Sequence, residues 1–138
     1  MSTMHAAVVS TYGKPPAYTA VPDLPAATSS QVQLKVLATG LHNIVRSRAS
    51  GKHYSSPPLP QIPGIDGIGA TSDGARYYFN AFRTGGSFAS HINVEKNSAI
   101  PLLEKLDTVQ TAALVNPATS SWMAMKARTT NSVSYTHL

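Results

Sequence analysis

Ten residues, Pro60 to Gly69 (PQIPGIDGIG), hold two prolines, three glycines and one carboxylate, Asp66. Proline fixes φ and glycine frees it, so the backbone there is set by its punctuation and Asp66 is held in one place. A carboxylate so placed either has a chemical task or belongs to the architecture. The other reactive residue types narrow the choice. His5, His53, His91 and His137 fall at no ligand spacing, so no His/Asp/Glu metal cluster is expected among them. Cysteine is absent, which removes thiolate nucleophiles, disulfides and cysteine-ligated zinc together. Serines are plentiful, yet none sits in G-x-S-x-G, and no G-x-G-x-x-G turn is present to cradle a dinucleotide.

The elements that must position Asp66 follow from composition and patterning. At 138 residues, 42% hydrophobic and 12% charged, with 10 prolines and 9 glycines, the chain has the makings of one domain of short strands joined by turns. The net charge of +5 comes from 11 basic and 6 acidic residues. The basic residues are scattered with no run of three, so no stripe for a phosphate backbone exists and nucleic acid is not an expected partner. No basic segment precedes an apolar core at the N-terminus and no apolar stretch approaches membrane-spanning length. Neither secretion nor membrane insertion is expected, and the lack of cysteine suits a cytoplasmic protein.

The clearest strand is QVQLKVLATG (31–40), with Val32, Leu34, Val36 and Ala38 on one face. Extended pieces are also expected over Met4–Tyr12 and Tyr18–Val21, either side of a turn at Gly13–Pro16. HNIVRSRAS (42–50) is a short helix, with Gly51 at its C-terminal cap. IDGIGAT and ARYYF flank Ser72-Asp73-Gly74 as a hairpin, and SFASHINV (87–94) alternates as a further strand. DTVQ (107–110) matches a capping box and opens a helix to about Leu114. Asn116-Pro117 then gives an N-cap and a first-turn proline, predicting a second helix through ATSSWMAMKAR. The last residues, TTNSVSYTHL, are uncharged and break this pattern, so 129–138 reads as a tail in which the native sequence stops near Asn131 and the remainder is foreign or frameshifted.

Taken in order, a strand ending in ATGL, a helix ending RASG, a tyrosine-bearing loop, LPQIPGIDGIG, a short hairpin, GGSFASHINV and AALVNPATSSWMAMKAR resemble a known arrangement. The chain is similar over residues 4 to 128 to the N-terminal domain of the medium-chain dehydrogenase/reductase superfamily, in its zinc-independent, quinone oxidoreductase-like branch. The resemblance implies a mainly β, GroES-like, partly open barrel with short helices, and two C-terminal helices leading into a Rossmann domain that binds NADPH or NADH. On that reading residues 1–115 form the substrate domain and 116–128 the helix toward the nucleotide-binding domain.

The same resemblance assigns candidate residues. Zinc-dependent relatives keep a cysteine where this chain has His42, a histidine at Ile65 and a glutamate at Asp66. A catalytic zinc needs about three nitrogen, sulfur or oxygen ligands, and Ile65 can supply none, so no metal is expected. Tyr54, in SGKHYSSPP, occupies the place of a tyrosine that faces the nicotinamide, where a phenol can donate a hydrogen bond or proton to a developing oxyanion. His42 or Asn43, and Asn116 with Thr119 in the NPAT segment, match positions lying against the nicotinamide ribose and carboxamide. The resemblance therefore implies NAD(P)H-dependent reduction of quinones, enones or related carbonyl compounds without zinc. It also implies inactivity of this stretch alone and homodimer formation by the full-length protein. Two other readings stay open: a diverged zinc-dependent alcohol dehydrogenase using His42 and Asp66, and a non-enzymatic GroES-like binding or assembly module.

Overall fold

The alternation in Gln31–Thr39 organises the molecule. In the computed structural model, which describes residues 3–128, this strand (β3) lies inside a five-stranded antiparallel sheet. Thr3–Val8 (β1) and Ala17–Pro22 (β2) form a separate hairpin. The helix Asn43–Ala49 (α1) follows β3, and Asp66–Ala70 (β4), Arg76–Asn80 (β5), His91–Glu95 (β6) and Ala99–Pro101 (β7) complete the sheet in the order β6-β3-β4-β5-β7. Leu34, Phe79, Ala81, Ile92 and Val94 are buried together, with Val32, Val36, Tyr77 and Ala99 against them. Burying each of the larger of these side chains stabilises the fold by about 1.5–3 kcal/mol. The result is mainly β and barrel-like, as the resemblance implies.

A bulge interrupts β3 between Val36 and Ala38. Val36 pairs with Gly69 and Ala38 with Ile68, adjacent β4 residues that face opposite ways, so the bulge moves Ala38 off the face it was expected to share with Leu34 and Val36. Thr39, opposite Gly67, is turned to the inner face instead. The Asp-Gly hairpin forms as expected, with the Thr71 N–H donating to Ala75 O at 3.0 Å and Gly74 at φ +88°. α1 ends as expected too, with Gly51 at φ +77°.

Two further expectations are corrected. SFAS does not continue β6. Ala7 N–H donates to Phe88 O and Ser90 N–H to His5 O, each at 2.8 Å, so residues 88–90 cross to β1 and join the hairpin to the main sheet. At the other end, Thr108–Arg128 is one helix (α2), not two. Its N-cap is Asp107, whose Oδ1 accepts from Gln110 N–H at 2.8 Å, whereas Asn116 lies inside the helix and caps nothing. Pro117 removes one helical N–H. Ala113, whose carbonyl would have received it, is exposed, so water can take that bond and the helix runs on.

α2 packs on β3 and β4 through its first turns, with Ala112 buried. The Arg76 guanidinium fastens the connector before it, donating to Glu104 O at 2.7 Å, Leu106 O at 3.0 Å and Thr108 Oγ1 at 2.8 Å. Every residue from Pro117 to Arg128 is exposed. Among the described residues no helix is long and apolar enough to cross a membrane. The proposed 129–138 tail and His137 lie outside the described residues.

Candidate active site

The C-terminal end of β3 and the start of β4 lie side by side, with Thr39 opposite Gly67. The chain leaves β3 through Gly40 and Leu41 and places His42 at the entry of α1, where it accepts no capping bond through its side chain. Its ring folds back instead onto Asp66, with Nε2 3.1 Å from Oδ1. A Cβ at position 40 would stand 2.1 Å from that Nε2 and 2.8 Å from Oδ1, so glycine is required for the approach.

Asp66 is fully buried, whereas the His42 side chain retains 14% exposure. The second carboxylate oxygen accepts the Tyr78 hydroxyl at 2.9 Å. Tyr78 lies opposite Ile68, which puts it on the Asp66 face of the hairpin, one pair removed. The carboxylate backbone is also tied, since Thr39 Oγ1 donates to Asp66 O at 2.8 Å and forms a very short contact with Ser87 Oγ. Burial pushes the Tyr78 phenol far above its ordinary value, helped by the charge of Asp66 and the hydrogen bond to it. Tyr78 is thus a fixed neutral donor. A carboxylate only accepts, so a neutral His42 beside Asp66 carries its proton on Nε2 and leaves Nδ1 as an acceptor.

The remaining candidates do not join this network. Tyr54 is 96% exposed, its ring 4.4 Å from that of His53. Its loop is anchored on either side, by Arg48 Nε donating to Ser55 O at 3.1 Å and by His53 Nδ1 with Ser55 Oγ at 2.8 Å. Asn43 is exposed on the first turn of α1, Asn116 is half-buried on α2 and Thr119 is exposed on the turn after it. Among the described residues no hydrogen bond links Tyr54, Asn116 or Thr119 to His42 or Asp66.

Tyr78 is the member that sequence reasoning missed, since ARYYF was read only as one arm of the hairpin. A signal was present. Counting pairs back from the Ser72-Asp73-Gly74 turn sets Tyr78 opposite Ile68, on the carboxylate face, while Tyr77 and Phe79 face the core. Asp66 itself ties three segments together, through Thr39, His42 and Tyr78, the architectural choice posed by its surroundings, and at His42 it does so through a chemically useful ring.

No family model matches the chain. A probable NADPH-dependent quinone reductase of Emericella nidulans is 35% identical over 156 aligned residues, covering 91% of this chain and 44% of that protein. The quinone oxidoreductase of Rattus norvegicus is 34% identical over 104 residues, covering 68% and 31%. Among solved structures, the quinone oxidoreductase of Thermus thermophilus, also determined in complex with NADPH, matches with a TM-score of 0.81 at 28% identity over 90% of this chain and 41% of that one. That of Coxiella burnetii has the same fold, with a TM-score of 0.79 at 22% identity. The chain thus spans less than half the length of these relatives. The barrel, the strand order and the sequence matches agree: the chain is similar to the N-terminal domain of quinone oxidoreductases of the medium-chain dehydrogenase/reductase superfamily.

Proposed function

We propose that this domain forms the substrate side of a zinc-independent, NADPH-dependent reductase of quinones, enones or related carbonyl compounds. The observation that carries the zinc-independent part is the His42–Asp66–Tyr78 network. Both carboxylate oxygens and His42 Nε2 are engaged with protein partners, and the neighbouring Ile65, 4% exposed, adds no ligand. Two groups that satisfy each other in this way are a poor start for a metal centre, which needs about three ligands.

The polar groups left over suit a nicotinamide nucleotide. His42 Nδ1, the amides of Asn43 and Asn116 and the Thr119 hydroxyl have no hydrogen-bond partner among the described residues. Ribose hydroxyls and a carboxamide offer matching groups. When bound, the cofactor supplies a hydride equivalent. This chain's residues then hold the acceptor and deliver the proton that balances the reduction. Tyr54 donates to the developing enolate or phenolate oxygen. His42, locked through Nε2, presents Nδ1 for a ribose hydroxyl or an ordered water and cannot rotate away. Residues 116–128 lead toward the nucleotide-binding domain, the full-length protein forms a homodimer and its location is cytoplasmic.

Hydride transfer needs the cofactor held against the substrate, so the test uses the chain joined to a nucleotide-binding domain. With NADPH and a quinone, Tyr54→Phe is expected to lower kcat about 100-fold, the usual worth of a positioned proton donor. Stoichiometric zinc in elemental analysis of the active protein would overturn the zinc-independent assignment. Unchanged turnover in Tyr54→Phe would remove Tyr54 from the chemistry.

A further inference from the structure

Away from the His42–Asp66 pair, the C-terminal end of α1 opens on a cleft of about 390 Å³. Its walls are apolar, built from Pro57, Pro58, Pro60, Ile62 and Phe82, and two guanidinium groups, Arg48 and Arg83, border it. The size falls within the range of small-molecule sites.

Arg48 is the informative residue. It is half-buried, and burial holds its guanidinium below the ordinary arginine value. One face stacks on the Phe82 ring, with Cζ 4.2 Å from the centroid. Nε donates to Ser55 O at 3.1 Å, and the position in the last turn of α1 complements the helix dipole. These contacts account for the stem, one donor and one face. They leave the four N–H groups of Nη1 and Nη2 without a hydrogen bond or ion pair among the described residues. None of the cleft-lining residues is acidic. A partly desolvated guanidinium that lines an open cavity with its fork unpaired is suited to bidentate contact with a planar anion.

We infer that this cleft binds a small molecule with an apolar, ring-sized body and a carboxylate, the carboxylate taken by the Arg48 fork and the body by Phe82 and the prolines. Arg83, exposed on the turn that follows Phe82, adds longer-range attraction. The inference concerns binding and stands apart from the redox reading. It would hold if the domain proved to have no reductase role.

Benzoate is the probe, titrated into the 138-residue chain while backbone amide shifts are followed by NMR. The expected result is a saturable set of shifts confined to Arg48, Gln61, Ile62, Gly64, Phe82 and Gly85. Benzyl alcohol, similar in shape but neutral, should bind at least about tenfold more weakly, as should inorganic phosphate, which has the charge without the body. Arg48→Met should bring benzoate down to the benzyl alcohol level, and Arg83→Gln should weaken it only a few-fold. If Arg48→Met loses dispersed amide signals, Arg48→Lys replaces it, with the charge kept and the fork removed, and a tenfold loss is again expected. Equal binding of benzyl alcohol, tighter binding of phosphate, or benzoate shifts scattered over the surface would each overturn the proposal.

Discussion

At the start of β4 a carboxylate is wholly buried. Beyond Pro117 a tryptophan and two methionines stand in solvent, Trp122 at 55%, Met123 at 61% and Met125 at 46% exposure. Each region inverts the usual placement of its residue types. The first resolves the inversion inside the domain, because Asp66 gains a histidine, a phenol and a backbone tie from three separate segments. The second does not, since the outer half of α2 has left the sheet that buries Ala112. Polar burial here is specific and local, whereas apolar exposure is spread around the outer turns of α2 and marks a surface for association. The network should therefore govern the stability of the domain, and the outer helix its behaviour toward other molecules.

Substitutions can test that division. Asp66→Ala should have the largest effect, about 3 kcal/mol of lost stability in urea unfolding, because it leaves Tyr78 and His42 without their acceptor. A loss below about 1 kcal/mol would show that the network is incidental to stability. Gly40→Ala comes next, at about 2 kcal/mol, since the added methyl must displace the His42 ring from Asp66. The His42 ring-nitrogen shifts should then lose the signature of an Nε2–H bound to carboxylate.

Tyr78→Phe should cost about 1–2 kcal/mol, a hydrogen bond to a charged group. It should also change the response to alkali. The Tyr78 phenol is raised in the fold, so its contribution is complete below the ordinary tyrosine range and falls as pH rises, because the unfolded chain ionises first. Stability above about pH 10 should decline less steeply in Tyr78→Phe. An identical slope would mean that Tyr78 is not held neutral by Asp66. The smallest effect on stability belongs to Trp122→Ser, within about 0.5 kcal/mol. Its sedimentation should nevertheless show less self-association than the parent chain at the same concentration. If Trp122→Ser unfolds the domain instead, the outer helix is part of the core after all.

Much of this was legible in the chain. The strand at 31–39, the Asp-Gly hairpin and the glycine after α1 follow from alternation and turn chemistry, which act over a few neighbouring residues. The bulge at Leu37 was not, since an extra residue in a strand shows only against its partner's register. Nor was the passage of 88–90 to β1, because alternation in SFASHINV cannot say which strand accepts its bonds. Asn116-Pro117 misled for a local reason: the same dipeptide starts a helix or interrupts one, and exposure at Ala113 decides between them. In the site, His42 and Asp66 were identified as a related pair of positions, while their contact depends on the bare backbone at Gly40. Tyr54, Asn43, Asn116 and Thr119 rest on the proposed function.

The segment 88–90 has a further consequence, which concerns time. Ser90 receives β1 through His5 O and offers its own carbonyl to Val36 N–H at 3.0 Å, so one residue closes both sheets. The β1–β2 hairpin can form within microseconds of its synthesis, yet the chain beside it first gains an outside partner at Gln61, 52 positions after Val9, and β1 itself is closed only at Ser90, 85 positions after His5. At synthesis rates of about 5–20 residues per second, the first strand spends several seconds as a free edge. The charge-poor hairpin is thus the part of a nascent chain most in need of shielding, and the Ser90 bonds mark the moment when that need ends.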